Sequence, residues 1–520
     1  MTTLTAAATG FGRLLRAEWS KLWSVRRWGL VMLAAVGVTV LVSLLGASSS
    51  SFQTKGADLP PVGPQGAQVE DAFRFVHQPM TGDGEVVARV LDQSAAQGPG
   101  RPWAKAGIMV KDGTRPGSGY AAMLRTPGHG VRWQTNFVVD RPGSDAATSP
   151  WLRLTRTGDT VTGYESTDGV TWRQVGTAVL TGLPDTAEVG LFVASPRVDR
   201  IERQFSSSSI TSLPTWSTAR FDNIRVRPAG APPSAGWADE LVGTTAPGDP
   251  GGTGGPVPPP TPDRPDGPPV PEAALLSGLP DPATGISTVT GSGDVAPRAM
   301  DEDLTRMSLS GALIGLLPLI GLAVLFIAAE YRRGMIRTTF AASPGRGRVV
   351  LAKSVVIGAA TFGVGLVACV VAFLASRPFQ RENGYVPPLF PSPSLTDWPV
   401  SRAILGTAAV LALVAVLSLG LGTILRRAAA AITVVIAVMV LPQMLAGALP
   451  LTAARWLMRL TPAAGFSVQQ TNPRYDHVDV VCLPEAGCSP DGPWLGVAVL
   501  CGYVLLVVAV ACWLVRRRDA

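Results

Sequence analysis

Histidine and cysteine are scarce in this chain of 520 residues, which has three histidines and five cysteines. The histidines are far apart, at His77, His129 and His477. No cluster of histidines and cysteines has the ligand spacing of a zinc site, so the sequence predicts no metal centre. Three cysteines, Cys369, Cys501 and Cys512, fall in apolar runs, where we expect them to pack as small hydrophobic side chains. No grouping of serine, histidine and aspartate indicates a nucleophile with its base.

A nucleotide-binding loop is also missing. The segment GRVVLAKS, residues 347–354, differs by one residue from the phosphate-loop pattern G-x-x-x-x-G-K-S. Ala352 replaces the glycine that lets backbone amides surround a phosphate, and the segment opens an apolar run instead of following a strand. We interpret the likeness as chance. The chain is therefore expected not to be an enzyme and to bind no cofactor itself.

Charged residues make up only 16% of the chain, whereas hydrophobic residues make up 47%. Six uncharged apolar runs have about the 20 residues needed to cross a bilayer. They are 28–47, 307–329, 354–376, 403–425, 428–451 and 494–515. The sequence predicts an α-helical six-span membrane domain, with span 1 at 28–47 and spans 2–6 within 307–520.

The formal net charge of +7 is concentrated beside these runs. Basic clusters lie within 13–27, 332–353, 426–427 and 516–518. This placement argues against a nucleic-acid partner, which would need a basic face on a soluble domain. Short loops rich in lysine and arginine stay in the cytosol. All four clusters are cytosolic in one arrangement, which predicts a multi-pass cell-membrane protein with both termini inside the cell.

Residues 1–27 precede the first span, and apolar side chains within 11–23 recur at helical spacing. We expect an amphipathic helix on the cytosolic membrane surface. Glu18 falls within its apolar face, where it either pairs with Lys21 one turn on or meets a basic residue of a partner. A signal peptide would start similarly, but no clear small-residue cleavage site precedes 47–51.

A long segment separates spans 1 and 2, and its composition divides it into two parts. Residues 66–228 contain short β-type runs separated by turn signals, at 85–91, 105–111, 120–125, 130–139, 151–158, 160–166, 171–176, 188–195 and 219–226. Strands of this length and spacing predict an extracytoplasmic antiparallel sandwich. Asp168 and Gly169 are expected to form a hairpin turn.

Residues 229–306 are interpreted mainly as an extracytoplasmic linker, because 229–270 are rich in proline and glycine and cannot bury a core. A β-like stretch at 283–297 could return a strand to the sandwich. In the next loop outside the membrane, Cys482 and Cys488 could form a disulfide, since an oxidising compartment permits one.

Several residues inside the spans also carry predictions. Gly311 and Gly315 are four residues apart, a spacing that lets helices approach closely in lipid. Pro318 is expected to kink span 2. Pro442 and Gln443 would interrupt span 5 and put an amide at mid-membrane. Gln443 either lines a transport path or makes an interhelical hydrogen bond.

The segment EYRRGMIRTTFAASPGRGRVVLAK, residues 330–353, resembles the glutamate-tyrosine-arginine-glycine loop of ABC-2 type transporter permeases. LLRAEWSKLWSVR resembles the amino-terminal interface helix of that family, and TAARWLMRLTPAAGFSVQQ its short outer helices. The resemblance implies a cytosolic ABC ATPase partner that carries ATP and magnesium, and a homo- or heterodimer of permeases. The implied partner interface comprises Glu330, Tyr331, Arg332, Arg333, Gly334, Arg337, Arg346, Arg348 and Glu18. Alternatively, most of these arginines only hold the orientation in the membrane.

The segments WAKAGIMVKDG, PWLRLTRTGDTVTGYESTDGVTWRQVG and ARFDNIRV resemble the concanavalin-A-like jelly-roll of lectins and glucanases. The predicted fold is therefore an inserted all-β jelly-roll. Four tryptophans could stack on sugars or lie in the core: Trp103, Trp133, Trp151 and Trp172. Hydrolysis is not expected, since Asp168 is explained by its turn and no carboxylate pair recurs with Glu165 along a strand.

The expected function is that of an ABC-2 type exporter permease, which forms the translocation path and couples to a separate cytosolic ATPase. The alternative is a membrane-anchored protein that binds or senses glycan or cell-wall polymer without transport. The external domain could also hold the exported substrate.

Overall fold

The computed structural model describes residues 2–517 except 51–59, 146–149, 205–206, 231–235, 244–269, 299–301, 333–344, 388, 480 and 485–486. The described residues form a helical bundle and a β domain, which the chain enters after the second helix and leaves before the fourth.

The helices follow the apolar runs. They are α1 (Thr2–Ser24), α2 (Arg26–Ser49), α3 (Glu272–Leu275), α4 (Leu304–Ser308), α5 (Ala312–Arg332), α6 (Arg346–Glu382), α7 (Trp398–Leu425), α8 (Ala428–Ala446), α9 (Leu451–Leu460) and α10 (Pro493–Arg517). A 3-10 helix, Pro462–Gln469, follows α9. Six of the described helices, α2, α5, α6, α7, α8 and α10, are long and apolar enough to cross a bilayer, as in a multi-pass membrane protein.

Helix α7 is the most buried of these six and packs against α5, α6 and α10. By contrast, α2 and α10 expose large apolar side chains such as Leu33, Leu41, Leu505 and Leu506. Exposed leucines are unfavourable in water but not in lipid, where apolar side chains meet an apolar solvent. This pattern therefore fits a bundle surrounded by hydrocarbon.

Two predicted glycines bring α2 and α5 together. Gly311 donates its backbone N–H to Ser43 Oγ at 3.1 Å, and a Cβ at this position would overlap the Thr39 carbonyl oxygen. A Cβ on Gly315 would overlap the Thr39 hydroxyl. The close approach predicted from the Gly311–Gly315 spacing is confirmed, and α2 is the helix that uses it.

The β domain has two antiparallel sheets. One has the order β10 (Arg173–Val179), β9 (Thr160–Ser166), β8 (Trp151–Thr157), β3 (Gly84–Gln97), β14 (Trp216–Pro228), β16 (Ser287–Gly291). The other has the order β15 (Ala238–Val242), β2 (Phe73–Thr81), β11 (Thr186–Ala194), β4 (Lys105–Lys111), β5 (Tyr120–Thr126), β6 (Gly130–Thr135), β7 (Val139–Pro142). Two further pairs are β1 (Val69–Asp71) with β17 (Val295–Pro297), and β12 (Val198–Gln204) with β13 (Ser207–Leu213). Buried side chains from both large sheets form one core.

The strands differ from prediction at several places. Four of them, β1, β2, β12 and β13, lie outside the predicted β-type runs. The run 130–139 is two strands, because Asn136 and Phe137 adopt φ angles of 46° and 70° and turn the chain between β6 and β7. The predicted linker 229–306 is also wrong in part, since β15, β16 and β17 lie in it and belong to the β domain. Asp239 of β15 is fixed there by Arg74 at 2.7 Å, a pairing that linker composition does not reveal.

The β domain rests on one end of the bundle, which we call the β-domain end. Arg101 forms an ion pair with Asp479 at 2.7 Å, and the His477 Nε2 lies 2.9 Å from the Phe137 carbonyl oxygen. Arg203 donates to the carbonyl oxygens of Ala446 and Leu449. The other end of the bundle, which we call the opposite end, carries α1, the start of α6 and the α7–α8 connection.

We expect Gly311→Ala to lower the free energy of unfolding by about 1–3 kcal/mol, since its methyl group would push α5 away from the Thr39 backbone. The measurement is unfolding of the purified chain in detergent by titration with SDS. Gly321→Ala is the matched control, because a Cβ at Gly321 of the same helix meets no atom within 4 Å. Equal stability of the two variants would contradict the packing described for α2 and α5.

Candidate functional site

A lysine is buried inside the bundle near its opposite end. Lys353 lies two turns into α6 and has 0% of its surface exposed. Its Nζ is 4.5 Å from the centre of the Phe326 ring on α5. An ammonium group in such surroundings is very unfavourable unless carboxylates pair with it.

Two carboxylates from different helices meet this lysine. Lys353 Nζ donates to Glu18 Oε2 of α1 at 2.6 Å and to Glu330 Oε1 of α5 at 2.8 Å. Lys21 closes the group, 2.7 Å from Glu18 Oε1 and 3.3 Å from Glu330 Oε1. We call Glu18, Lys21, Glu330 and Lys353 the ionic cluster. With all four side chains ionised its charge is zero, and it joins α1, α5 and α6.

The local sequence explains how α1 reaches this position. Glu18 and Leu22 are one helical turn apart on α1, and both are buried, at 2% and 1% exposure. Leu22 packs in the same apolar core as Val350 of α6 and Val515 of α10. The apolar face of α1 thus binds the bundle through hydrophobic contacts and delivers Glu18 to Lys353.

Lys21 connects the cluster to the surface, since 45% of its side chain is exposed. Partial burial alone would lower the pKa of Lys21, but the hydrogen bond to Glu18 and the two negative charges outweigh it and raise that pKa. Within the described residues, Glu330 Oε2 is buried without a hydrogen-bond partner. The cluster is therefore not fully satisfied, and one carboxylate oxygen is available for rearrangement.

Exposed arginines surround the cluster. This basic surface consists of Arg13, Arg16, Arg26, Arg27, Arg348, Arg426, Arg427, Arg516 and Arg517. Arg426 lies over the Tyr331 ring at 5.3 Å, which places the α7–α8 connection beside the end of α5. On the same side of the molecule, α1 exposes Trp19 and Trp23. The opposite end is thus cationic with aromatic side chains at its edge.

Glu18 and Glu330 were predicted to contact a partner, but the structure places both in the interior. Lys353 and Lys21 hold these two carboxylates inside the bundle, so a role at the partner interface would act through these ion pairs. Glu18 does pair with Lys21, which was one of the two predicted alternatives. The second basic residue that Glu18 meets belongs to the same chain and not to a partner. Arg348 is exposed and Arg346 half-buried. The Arg332 side chain, Arg333, Gly334 and Arg337 lie outside the described residues.

Sequence reasoning missed Lys353 as a site residue. It was counted among the basic residues of a loop, and in GRVVLAKS its likeness to a phosphate-binding lysine was dismissed as chance. The available signal was a lysine flanked by apolar residues at the start of a span, since such lysines need a buried partner. No local pattern names that partner, because Glu18 is 335 positions away in the sequence.

The predicted path residues lie closer to the β-domain end than expected. Because α8 ends at Ala446 rather than at 451, Pro442 and Gln443 are in its last turns. Pro442 is buried, and Gln443 lines a cavity of about 400 Å³. The same cavity is bordered by the loop in which Cys482 and Cys488 form a disulfide, with 5.2 Å between their Cα atoms.

The four tryptophans considered for sugar stacking do not form an open platform. Trp133 is fully buried against Gly163 and Gly176, so stacking on a sugar is wrong for this residue. Trp103 is buried as well and stacks on His129 with 3.8 Å between ring centres.

The other two tryptophans, Trp151 and Trp172, are half-buried, and each lies beneath an arginine, Arg89 and Arg153 respectively. Aromatic–cation contacts therefore occupy surfaces that a sugar ring would need.

The carboxylates considered for hydrolysis have other partners. Glu165 accepts hydrogen bonds from the backbone and hydroxyl of Ser144 and from Arg173. The backbone N–H groups of Thr171 and Val170 lower the pKa of Asp168 to about 2, so it serves the predicted hairpin turn at Gly169. Among the residues the structure describes, no group of three histidines, cysteines or carboxylates could hold a metal ion.

No protein-family profile and no curated protein sequence matches the chain. Solved structures give weak matches. One is a functionally unknown protein from Saccharomyces cerevisiae, with 18% identity and a TM-score of 0.20 over 35% of this chain and 93% of that one. Another is a peptidase of the eqolisin family, SCP-B, in complex with a tripeptide, with 12% identity and a TM-score of 0.20 over 34% of this chain and 89% of that one. Scytalido-glutamic peptidase matches with the same values. These likenesses are too weak to carry a functional argument.

We expect Lys353→Met to lower the free energy of unfolding by roughly 3–5 kcal/mol, because it leaves two buried carboxylates with Lys21 alone. Unfolding in SDS, followed by the tryptophan fluorescence of the purified chain, measures the loss. Arg13→Gln is the control, as Arg13 is an exposed cation on the helix that carries Glu18.

The double variant Lys353→Met with Glu330→Gln tests whether the loss is electrostatic. Removing the stranded negative charge should restore part of the stability, so the two substitutions should not be additive. Strict additivity would show that the two side chains are not coupled.

Proposed function

We propose that this chain is the permease subunit of an ABC-2 type exporter. The observation that carries the proposal is the ionic cluster, which ties α1 to the two helices that bracket residues 333–345. The sequences of that loop and of α1 are the two segments that resemble the ATPase-facing parts of such permeases. A permease that is driven by a separate ATPase subunit requires such a charged connection between its ATPase-facing segments.

The distribution of charge supports a cytosolic position for the opposite end. The basic surface is exposed there, whereas the acids Glu18 and Glu330 of the same region are buried and paired. Basic residues beside spans remain on the cytosolic side. The β domain, which we assign to the jelly-roll class, is then extracytoplasmic. So is the disulfide, as expected from an oxidising compartment.

The mechanism follows from how the cluster is built. Closure of two ATPase subunits would push on the 333–345 loop and on α1, which ends one turn after Lys21. Since Glu18 and Glu330 share the ammonium group of Lys353, neither α1 nor α5 can move alone without exposing an unpaired charge. The three helices would move as one body and change the access of the path. By family analogy, two such subunits, identical or related, form that path.

The alternative, a glycan sensor without transport, receives no support from the four tryptophans, which are buried or covered. It becomes the preferred function if the chain has no ATPase partner.

Purification of the tagged full-length protein from its native membrane in mild detergent tests the proposal. We expect a nucleotide-binding partner in stoichiometric amount, together with ATPase activity. The triple variant Arg332→Glu, Arg333→Glu and Arg337→Glu should reduce recovery of that partner at least about tenfold, because like charges would face an interface built for a cationic loop.

Arg377→Glu with Arg381→Glu is the matched control, since both arginines lie at the other end of α6. Unchanged ATPase recovery with the triple variant, or loss with the control as well, would refute the assigned interface. A clean preparation without any ATPase would refute the exporter itself.

A further inference from the structure

The cavity lined by Gln443 has the size of a small-molecule site. Its volume is about 400 Å³, and it lies at the β-domain end between α4, α8, α9, the 3-10 helix and the disulfide-closed loop. Volumes of roughly 300–1,000 Å³ are usual for such sites. Apolar side chains form much of the wall, among them Met307, Leu313, Met458 and Phe466.

Three arginines also line this cavity, and they differ in their partners. Arg459 is neutralised by Asp491, with two hydrogen bonds to its carboxylate. For Arg306 and Arg455, no carboxylate of the described residues lies within ion-pair distance of the guanidinium. The Nε of Arg455 is buried without a hydrogen-bond acceptor in the described structure. Two cations that have no ion-pair partner among the described residues therefore border one apolar space.

The acids near Arg306 are already committed. Asp303 accepts hydrogen bonds from the backbone N–H of Arg306, from Thr471 and from the backbone of Asn472. Glu302 is hydrogen-bonded to Tyr385. Both acids also line the cavity, and the negative charge of Asp303 acts on the Arg306 guanidinium without lying at ion-pair distance from it.

The position of Arg306 is fixed by the disulfide loop. A Cβ at Gly487 would overlap the Arg306 guanidinium carbon, so glycine is needed for the loop to cover this side chain. Burial lowers the pKa of Arg306. A half-buried guanidinium held in place in this way, with no carboxylate of the described residues at ion-pair distance, is a strong recognition element for a carboxylate or phosphate.

The surroundings indicate what else such a ligand contains. On the elements around the cavity, Met444, Trp456, Leu460 and Trp494 are exposed apolar residues, as expected at an interface between bilayer and water. Tryptophans are typical of that interface. A ligand can therefore approach from the membrane with its hydrocarbon in lipid and its head toward the arginines.

We propose that this cavity binds the anionic head group of an amphiphile, with Arg306 and Arg455 as donors and Met307, Leu313 and Phe466 against its hydrocarbon. The proposal does not depend on transport, because binding is a property of this chain alone. The ligand could be a bilayer lipid or a compound in transit, and both share an anionic head on an aliphatic tail.

Dodecyl phosphate is the probe, added to the full-length protein in a neutral maltoside detergent and followed by native mass spectrometry and thermal shift. We expect saturable binding at one site per chain, and at least about tenfold weaker binding of inorganic phosphate, which has no tail. Arg306→Gln and Arg455→Gln should each weaken binding of dodecyl phosphate roughly tenfold or more, as loss of a charge-assisted hydrogen bond predicts. Arg381→Gln, an exposed arginine at the same end that does not line the cavity, should leave it unchanged.

Leu313→Trp provides a second test that alters no charge, because the larger side chain would fill the cavity. We expect it to abolish binding while the variant still folds. Unsaturable binding, or full affinity in Leu313→Trp or in both arginine variants, would overturn the proposal. Phosphatidylglycerol that copurifies and is displaced by dodecyl phosphate would identify a bilayer source. A site that is empty after purification and then binds the added dodecyl phosphate would identify a free amphiphile as the source.

Discussion

The structure depends on one buried positive charge. Lys353 sits in an apolar interior that would reject an unpaired ammonium group, so the fold must bring carboxylates to it. Glu330 comes from α5, which precedes α6 in the chain, whereas Glu18 comes from a helix outside the predicted spans. This requirement fixes α1 against the bundle in one position. Hydrophobic contact through Leu22 alone would allow α1 to slide, but an ion pair to a buried lysine would not.

The cluster also joins the two helices on either side of residues 333–344. Glu330 lies near the end of α5 and Lys353 two turns into α6, and their side chains form an ion pair at 2.8 Å. Glu18 of α1 pairs with the same lysine at 2.6 Å. If residues 333–344 bind an ATPase, the force reaches all three helices at once.

How much of the structure the sequence predicts depends on how far apart in the chain the interacting residues lie. Hydropathy is local, so the six apolar helices and the strands between Lys105 and Val193 could be predicted from short windows. Glycine spacing is local too, and Gly311 and Gly315 were found for that reason. The ionic cluster joins residues more than 300 positions apart, which no window connects. Strand β15 was missed because its only signal is pairing with β2, inside a segment whose composition indicates a linker.

The ionic cluster and the cavity are connected by α6. This helix runs without interruption from Arg346 to Glu382, and Lys353 and Gln380 are about 40 Å apart along it at 1.5 Å per residue. At the far end Gln380 donates to the Leu304 carbonyl and the Ser308 hydroxyl, both at 3.0 Å, and so holds α4. Helix α4 carries Arg306. One continuous helix thus runs from the ionic cluster, where the proposed ATPase would act, to the cavity proposed for an anionic head group.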